Sequence, residues 1–225
     1  MEKMKRYAVY YAPGPGPFAE AAASWLGWDP ARGQAVAQPD LGVNLAEMTT
    51  DPRKYGFHGT LKPPFRLVEG ASPTDLSAAV ATLARRRHPL RLDRLQLLAL
   101  DGFLALTPTG DTSALEALAA TAVTALDPLC AALTEAEIAR RRPERLTPRQ
   151  RDLLTQFGYP YVMEQFRFHL TLTSDLTPAD RDRLMPLARV HFAPHLPQPF
   201  LVTDLCLFGE DGDGAFHILH RYPLG

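Results

Sequence analysis

Gly56-Phe57-His58-Gly59-Thr60-Leu61-Lys62 has an echo far downstream in Arg167-Phe168-His169-Leu170-Thr171-Leu172-Thr173. Both copies read apolar-His-x-Thr-Leu. Side chains of an extended chain alternate between two faces. His58, Thr60 and Lys62 are therefore predicted to share one face, with Phe57, Gly59 and Leu61 on the other. In the second copy His169, Thr171 and Thr173 share a face, opposite Phe168, Leu170 and Leu172. Each strand thus offers an oily side to a core and a side carrying imidazole and hydroxyl. One such strand alone would mean little, because the pattern is short and a strand histidine is commonly structural.

The flanking sequence makes the pair informative. After the first copy, Ser72 is placed to cap a helix, with Pro73 at its first position and Asp75 in its first turn. That helix is predicted to run to about Arg87. Two strands follow, near 90–98 and 103–107, joined at Asp101-Gly102, a strong hairpin pair. After the second copy the order repeats: Thr177 as cap, Pro178, Asp180, a helix to about Phe192, then strands near 200–208 and 215–222. The expected fold is α+β, a duplicated β-α-β-β unit. Two antiparallel sheets would face a central cleft, with helices outside. Lobe one is predicted at about 1–110, a helical insert at about 111–158 and lobe two at about 159–225. Upstream, Tyr7–Tyr11 reads as a strand and Phe18–Leu26 as a helix closed by Gly27. The first motif strand is expected to end at Pro63-Pro64. In the insert, Ser113-x-x-Glu116 reads as a capping box and Thr147-Pro148 as a helix start.

Composition narrows the function classes. At 225 residues, 46% hydrophobic and 22% charged, the chain is long enough for a sizeable core. A formal charge of -1 gives no global field toward nucleic acid or membrane. No apolar run is long enough to cross a bilayer, and Met1–Arg6 leads into a strand rather than a leader, so a cytoplasmic protein is expected. Cys130 and Cys206 fit no metal spacing and read as buried free thiols.

The chemistry follows from residue type. Imidazole is suited to give and take protons near neutral pH. Two imidazoles facing one phosphorus can divide the work, one as base and one as acid. His58 and His169 are the candidates, with the roles interchangeable at this level. Thr60 and Thr171 can donate to non-bridging phosphate oxygens. Strand parity adds Lys62 and Arg167 as substrate-binding cations, and Tyr11 of the first strand reads either as a cleft-lining ring or as core packing. No carboxylate cluster flanks either motif, so neither a metal nor another cofactor is called for. His88, His191, His195, His217 and His220 read as structural or surface residues. The six arginines between Arg140 and Arg151 read as a salt-bridged surface or as a basic lid for an anionic substrate.

At His58-Gly59-Thr60-Leu61 and His169-Leu170-Thr171-Leu172 the chain resembles the two-histidine (2H) phosphoesterase superfamily. Longer words resemble a branch whose genes often neighbour those for phosphonate breakdown. They are Arg6-Tyr7-Ala8-Val9-Tyr10-Tyr11-Ala12-Pro13, Trp25-Leu26-Gly27-Trp28-Asp29-Pro30 and Tyr55–Phe65. The resemblance implies a bilobed fold with a two-histidine cleft and metal-independent action on a small phosphodiester or nucleotide, often cyclic or 2′,5′-linked. Phosphonate breakdown passes through a ribose cyclic phosphate, which makes a small cyclic phosphodiester the first expectation. An RNA end, or binding of a nucleotide without turnover, are the alternatives.

Overall fold

Gly59 and Leu170, each one residue past its histidine, face one another as antiparallel partners. The computed structural model describes residues 4–225 and builds outward from that pair. In chain order the elements are β1 (Arg6–Tyr11), α1 (Pro17–Leu26), β2 (Trp28–Asp29), β3 (Gln34–Ala35), α2 (Leu45–Met48), α3 (Thr50–Arg53) and β4 (Gly59–Phe65). Then come α4 (Pro73–Arg85), β5 (Leu90–Leu92), β6 (Leu95–Leu100), β7 (Phe103–Pro108), α5 (Ser113–Leu126), α6 (Glu135–Arg140) and α7 (Pro148–Phe157). Last are β8 (Leu170–Thr171), α8 (Pro178–Phe192), β9 (Phe200–Val202), β10 (Asp204–Glu210) and β11 (Phe216–Pro223). No helix among the described residues is long and apolar enough to cross a membrane.

The fold is the expected mixture of helices and antiparallel strands, with the hairpins exchanged between halves. Strand order is β11-β10-β1-β4-β8-β7-β6. The β10–β11 hairpin, which follows the second motif in sequence, pairs with β1 beside the first motif. The β6–β7 hairpin, which follows the first motif, pairs with β8. A cut at about 110 or 159 therefore divides the sequence but not the sheet. The Gly59–Leu170 pair stitches the two hairpin-bearing groups together. A second pairing of matched segments, β5 with β9, places Leu90 against Val202 and Leu92 against Phe200. Both cross-pairings join equivalent positions of the repeat, as an internal pseudo-two-fold axis requires.

Local chemistry explains the elements. Ser72 and Asp75 form a reciprocal capping box on α4, Thr147 and Gln150 form one on α7, and Thr177 caps α8. Gly27 and Gly158 close α1 and α7 in the left-handed conformation. α5 differs from expectation: Thr112, not Ser113, is its cap residue, and its hydroxyl bonds Glu116 instead of the backbone. β4 also runs through Pro63-Pro64 instead of stopping there. The reason is local. β8 reaches only Gly59 of β4, so β4 has a free flank where the prolines sit.

One face of the sheet packs on the helices. Val9 and Tyr11 of β1, Leu61 of β4 and Leu170 and Leu172 join Leu76 and Val80 of α4 and Phe192 of α8 in the main core. The opposite face carries Ala8, Tyr10, Cys206, Phe208 and Phe216. The two sheet groups approach so closely at Gly59 that a Cβ there would lie 2.3 Å from the Phe168 ring. Gly59→Ala should therefore destabilise the protein by roughly 1–3 kcal/mol, the usual cost of overpacking. Urea titrations of Gly59→Ala, Phe168→Leu and the double variant check this. The double variant should recover part of the loss, and strictly additive effects would contradict the packing argument.

Candidate active site

His58 and His169 sit at the mouths of β4 and β8, one residue before each strand begins. Each ring is held the same way. His58 Nδ1 donates to the Gly56 carbonyl at 2.8 Å, and His169 Nδ1 donates to the Arg167 carbonyl at 2.8 Å. A carbonyl can only accept, so both Nδ1 atoms carry the proton. In the neutral rings Nε2 is therefore the bare, basic nitrogen. Gly56 makes the first clamp feasible with a φ of 70°, a left-handed turn that a side chain resists. Pro30 lies against the same spot, 2.5 Å from where a Cβ would stand.

A cleft of about 340 Å³ opens over His58, and His169 stands beside it without being part of its lining. His58, Thr60 and Thr171 line it, with Tyr10, Tyr55, Phe103, Tyr159, Arg6, Arg141, Asp51, Ser174 and Asp175. The His169 ring stands 5.6 Å from that of Phe103 and close enough to His58 for its charge to act there. Thr60 and Thr171 make no hydrogen bond through their hydroxyls among the described residues, so both keep a free donor. Thr173, by contrast, is buried and accepts the Leu104 N–H at 2.9 Å. Tyr10 stacks on His58 with ring centres 3.9 Å apart. Burial pushes the His58 imidazole down to about 4, against the pull of the Gly56 carbonyl, and the His169 charge lowers it further. No group of three or more His, Cys, Asp or Glu side chains among the described residues is arranged to hold a metal.

Residues 60–217 match the family described as "Protein of unknown function (DUF1045)". The chain belongs to the DUF1045 family. It is 39% identical over 223 residues to a protein of Janthinobacterium sp. (strain Marseille) named ribose 1,5-bisphosphate phosphokinase PhnN, using 95% of this chain and 49% of that protein. A Laribacter hongkongensis (strain HLHK9) protein of the same name is 39% identical over 220 residues, covering 96% of this chain and 51% of that one. The chain thus spans about half the length of the curated relatives it matches. Among solved structures it is similar to E. coli LigT complexed with 3'-AMP, with 18% identity, 99% coverage of both chains and a TM-score of 0.44.

In this DUF1045 chain the cleft does not receive Lys62, Arg167 or Tyr11. Lys62 is 1% exposed, with its ammonium 3.4 Å from the Val123 carbonyl and 3.6 Å from Asp127. It caps the C-terminal turn of α5, on the helix side of the sheet. The cause is a bulge. Tyr10 pairs with Thr60 but Val9 pairs with Lys62, so β4 spends two residues against one of β1. The extra residue inverts the alternation, and Lys62 turns away from Thr60. Arg167 is exposed and its guanidinium binds the carbonyls of Glu164 and Phe166. Tyr11 packs edge-on against Phe168 and Phe200 in the core. Its neighbour Tyr10 is the tyrosine that reaches the cleft, a one-residue error of strand phase. Sequence reading also passed over Tyr55, Phe103 and Tyr159. The Tyr55–Phe65 motif word contained the first of these, but nothing in its spacing marked it as a cleft residue.

Among the other histidines, His191 binds the Ala21 carbonyl through Nε2 at 2.9 Å and ties α8 to α1. His217 pairs with Asp211 in the β10–β11 turn. Of the six arginines, Arg140, Arg142, Arg145, Arg149 and Arg151 are exposed, and Arg141 alone is half-buried against the cleft.

The depressed His58 gives a pH signature. A free imidazole takes a proton near 6.5. Between about 6.5 and about 4 the unfolded chain binds that proton and the folded chain does not. Stability from this site is therefore complete above about 6.5 and is lost as pH falls toward about 4. His58→Gln should show a shallower loss across that window than the parent in denaturant titrations. Parallel pH profiles would contradict the assignment.

Proposed function

We propose that this chain is a phosphoesterase that opens a small cyclic phosphodiester by two-histidine acid–base catalysis. The observation that carries the reading is the matched pair of clamps, each fixing an imidazole through Nδ1 at a strand mouth and leaving its Nε2 without a protein partner. His58, kept neutral by its burial, takes the role of base. Its Nε2 accepts a proton from water as the water oxygen bonds to phosphorus. The ester bond to the leaving oxygen breaks, and His169 as imidazolium supplies that oxygen with its proton. One water is consumed, one monoester is formed, and both rings return to their starting states by exchange with solvent. The free hydroxyls of Thr60 and Thr171 donate to the non-bridging oxygens, whose charge grows in the transition state. These groups supply base, acid and anion donors without calling on a metal.

The substrate class draws on two supports. The chain resembles a branch associated with phosphonate breakdown, and its curated relatives are named for a kinase acting on a ribose bisphosphate. This chain contains no Gly-Lys pair, so it lacks the loop that cradles phosphates in P-loop kinases. We assign the kinase step to the remainder of those relatives and to this chain a neighbouring step on a sugar cyclic phosphate. A cleft of about 340 Å³ suits a molecule of that size.

Turnover of a ribose or nucleoside cyclic phosphate by His58→Ala and by His169→Ala tests the reading. Each should lose on the order of 10²–10⁴ in kcat. A substrate with a p-nitrophenolate leaving group, which needs no proton, should largely rescue His169→Ala and not His58→Ala. Equal rescue of both would reverse or remove the role assignment, and near-full activity in either alanine variant would end the proposal.

A further inference from the structure

We infer that the cleft holds a second anion subsite, centred on Arg141, that selects substrates carrying a further phosphate beside the scissile one. The inference rests on the phosphoesterase reading for its substrate but on separate residues for its evidence.

Charge in the cleft is polarised along the strands. Arg6 opens β1, and its neighbour Tyr7 lies opposite Phe65, the last residue of β4. Arg66, one residue further, grips Glu137 of α6 at 2.9 Å, and Arg141 follows one helical turn later. Both cleft arginines therefore lie toward the Phe65 end. Asp51 and Asp175 lie at the other end, beyond Gly59, where the Ser174 hydroxyl accepts the Asp51 N–H at 3.0 Å. The imidazole–threonine groups stand between. A dianionic group on the substrate is repelled by the acidic end and drawn to the basic one, which fixes the direction of binding.

Within the basic end, Arg141 is the cation left available. Arg6 is committed to Glu210, with Nη2 donating to Oε1 at 2.8 Å. Arg66 and Arg149 are likewise committed, to Glu137 and Glu164. Among the described residues no carboxylate lies in ion-pair range of Arg141, and its guanidinium makes no hydrogen bond. The guanidinium instead lies 4.7 Å over the Tyr159 ring, a stacking that fixes its plane and leaves its N–H edge free. The backbone holds it there. Arg142 takes a left-handed φ of 49° and Pro143 follows, so α6 stops at this point and leaves Arg141 as its C-terminal cap residue. Planar, bidentate donors of this kind suit a phosphate. From Thr60 to Pro63 the strand advances about 10 Å, within reach of the distal phosphate of a phosphorylated sugar or nucleoside.

The probes are adenosine 2′,3′-cyclic phosphate and its 5′-phosphorylated form. The second should be turned over with kcat/KM higher by about 30-fold, chiefly through KM. Arg141→Gln should bring the two within about threefold, Arg141→Lys should fall between, and Arg149→Gln, outside the cleft, should leave the preference intact. Calorimetric binding of adenosine 3′-phosphate against adenosine 3′,5′-bisphosphate reads the same subsite without catalysis. An Arg141-dependent binding preference with no turnover of either probe would sustain the subsite and sink the phosphoesterase reading. Turnover with no preference, or a preference that survives Arg141→Gln, would sink the subsite alone. A short RNA ending in a 2′,3′-cyclic phosphate that outperforms the phosphorylated nucleotide would overturn the small-substrate assignment.

Discussion

A single backbone pairing, Gly59 with Leu170, holds the molecule's two halves in register. The register matters because side chains alternate. A slip of one residue at this seam would turn an imidazole and a threonine from the cleft into the core. The seam is guarded by size: the Phe168 ring occupies the space where any Cβ at position 59 would stand. It is guarded again from outside, where Leu172 donates to the Leu104 carbonyl and accepts the Trp25 indole N–H. The matched β5–β9 pairing repeats the same two-fold relation on the far side of the core. The two imidazoles thus stand at neighbouring strand mouths through a symmetry that the core enforces.

Much of this was legible in the residues. The repeated His-x-Thr words, the two Pro-primed helices and the two Gly-bearing hairpin turns predicted a duplicated α+β fold. The caps at Ser72, Thr147 and Thr177 were read correctly because capping depends on a few adjacent side chains. The exchange of hairpins was not legible. Strand pairing is a long-range choice, and a hairpin's sequence does not say which neighbour it will join. The placement of Lys62 failed for a local reason that sequence does not display, a bulge in β4 beside Thr60. Tyr11 failed because β1 carries tyrosines at both phases, and only the surrounding core decides which one is turned inward. Pro63-Pro64 reads as a stop until the free flank of β4 is seen.

The site itself mixes rigidity and exposure in a way that suits acid–base work. Each imidazole is pinned through Nδ1, and Tyr10 covers one face of His58. What remains open is the Nε2 edge and the two threonine hydroxyls. A neutral His58 suits the fold at neutral pH and becomes a liability in acid, so the proposed chemistry and the stability of this protein share one titrating group. The basic rim has a different origin. One of its two arginines comes from the segment between the halves, where Arg141, alone of the six, lines the cleft.

Nitrogen-15 NMR of the histidine side chains tests the central claim most directly, because it reads the tautomer without assuming a substrate. At neutral pH the account predicts Nδ1 protonated on both rings, a bare Nε2 on His58, and a His58 ring that resists protonation until pH falls toward about 4. A bare Nδ1 on either ring, a proton on Nε2 of His58 at neutral pH, or a His58 that titrates near 6.5 like a free imidazole, would contradict it.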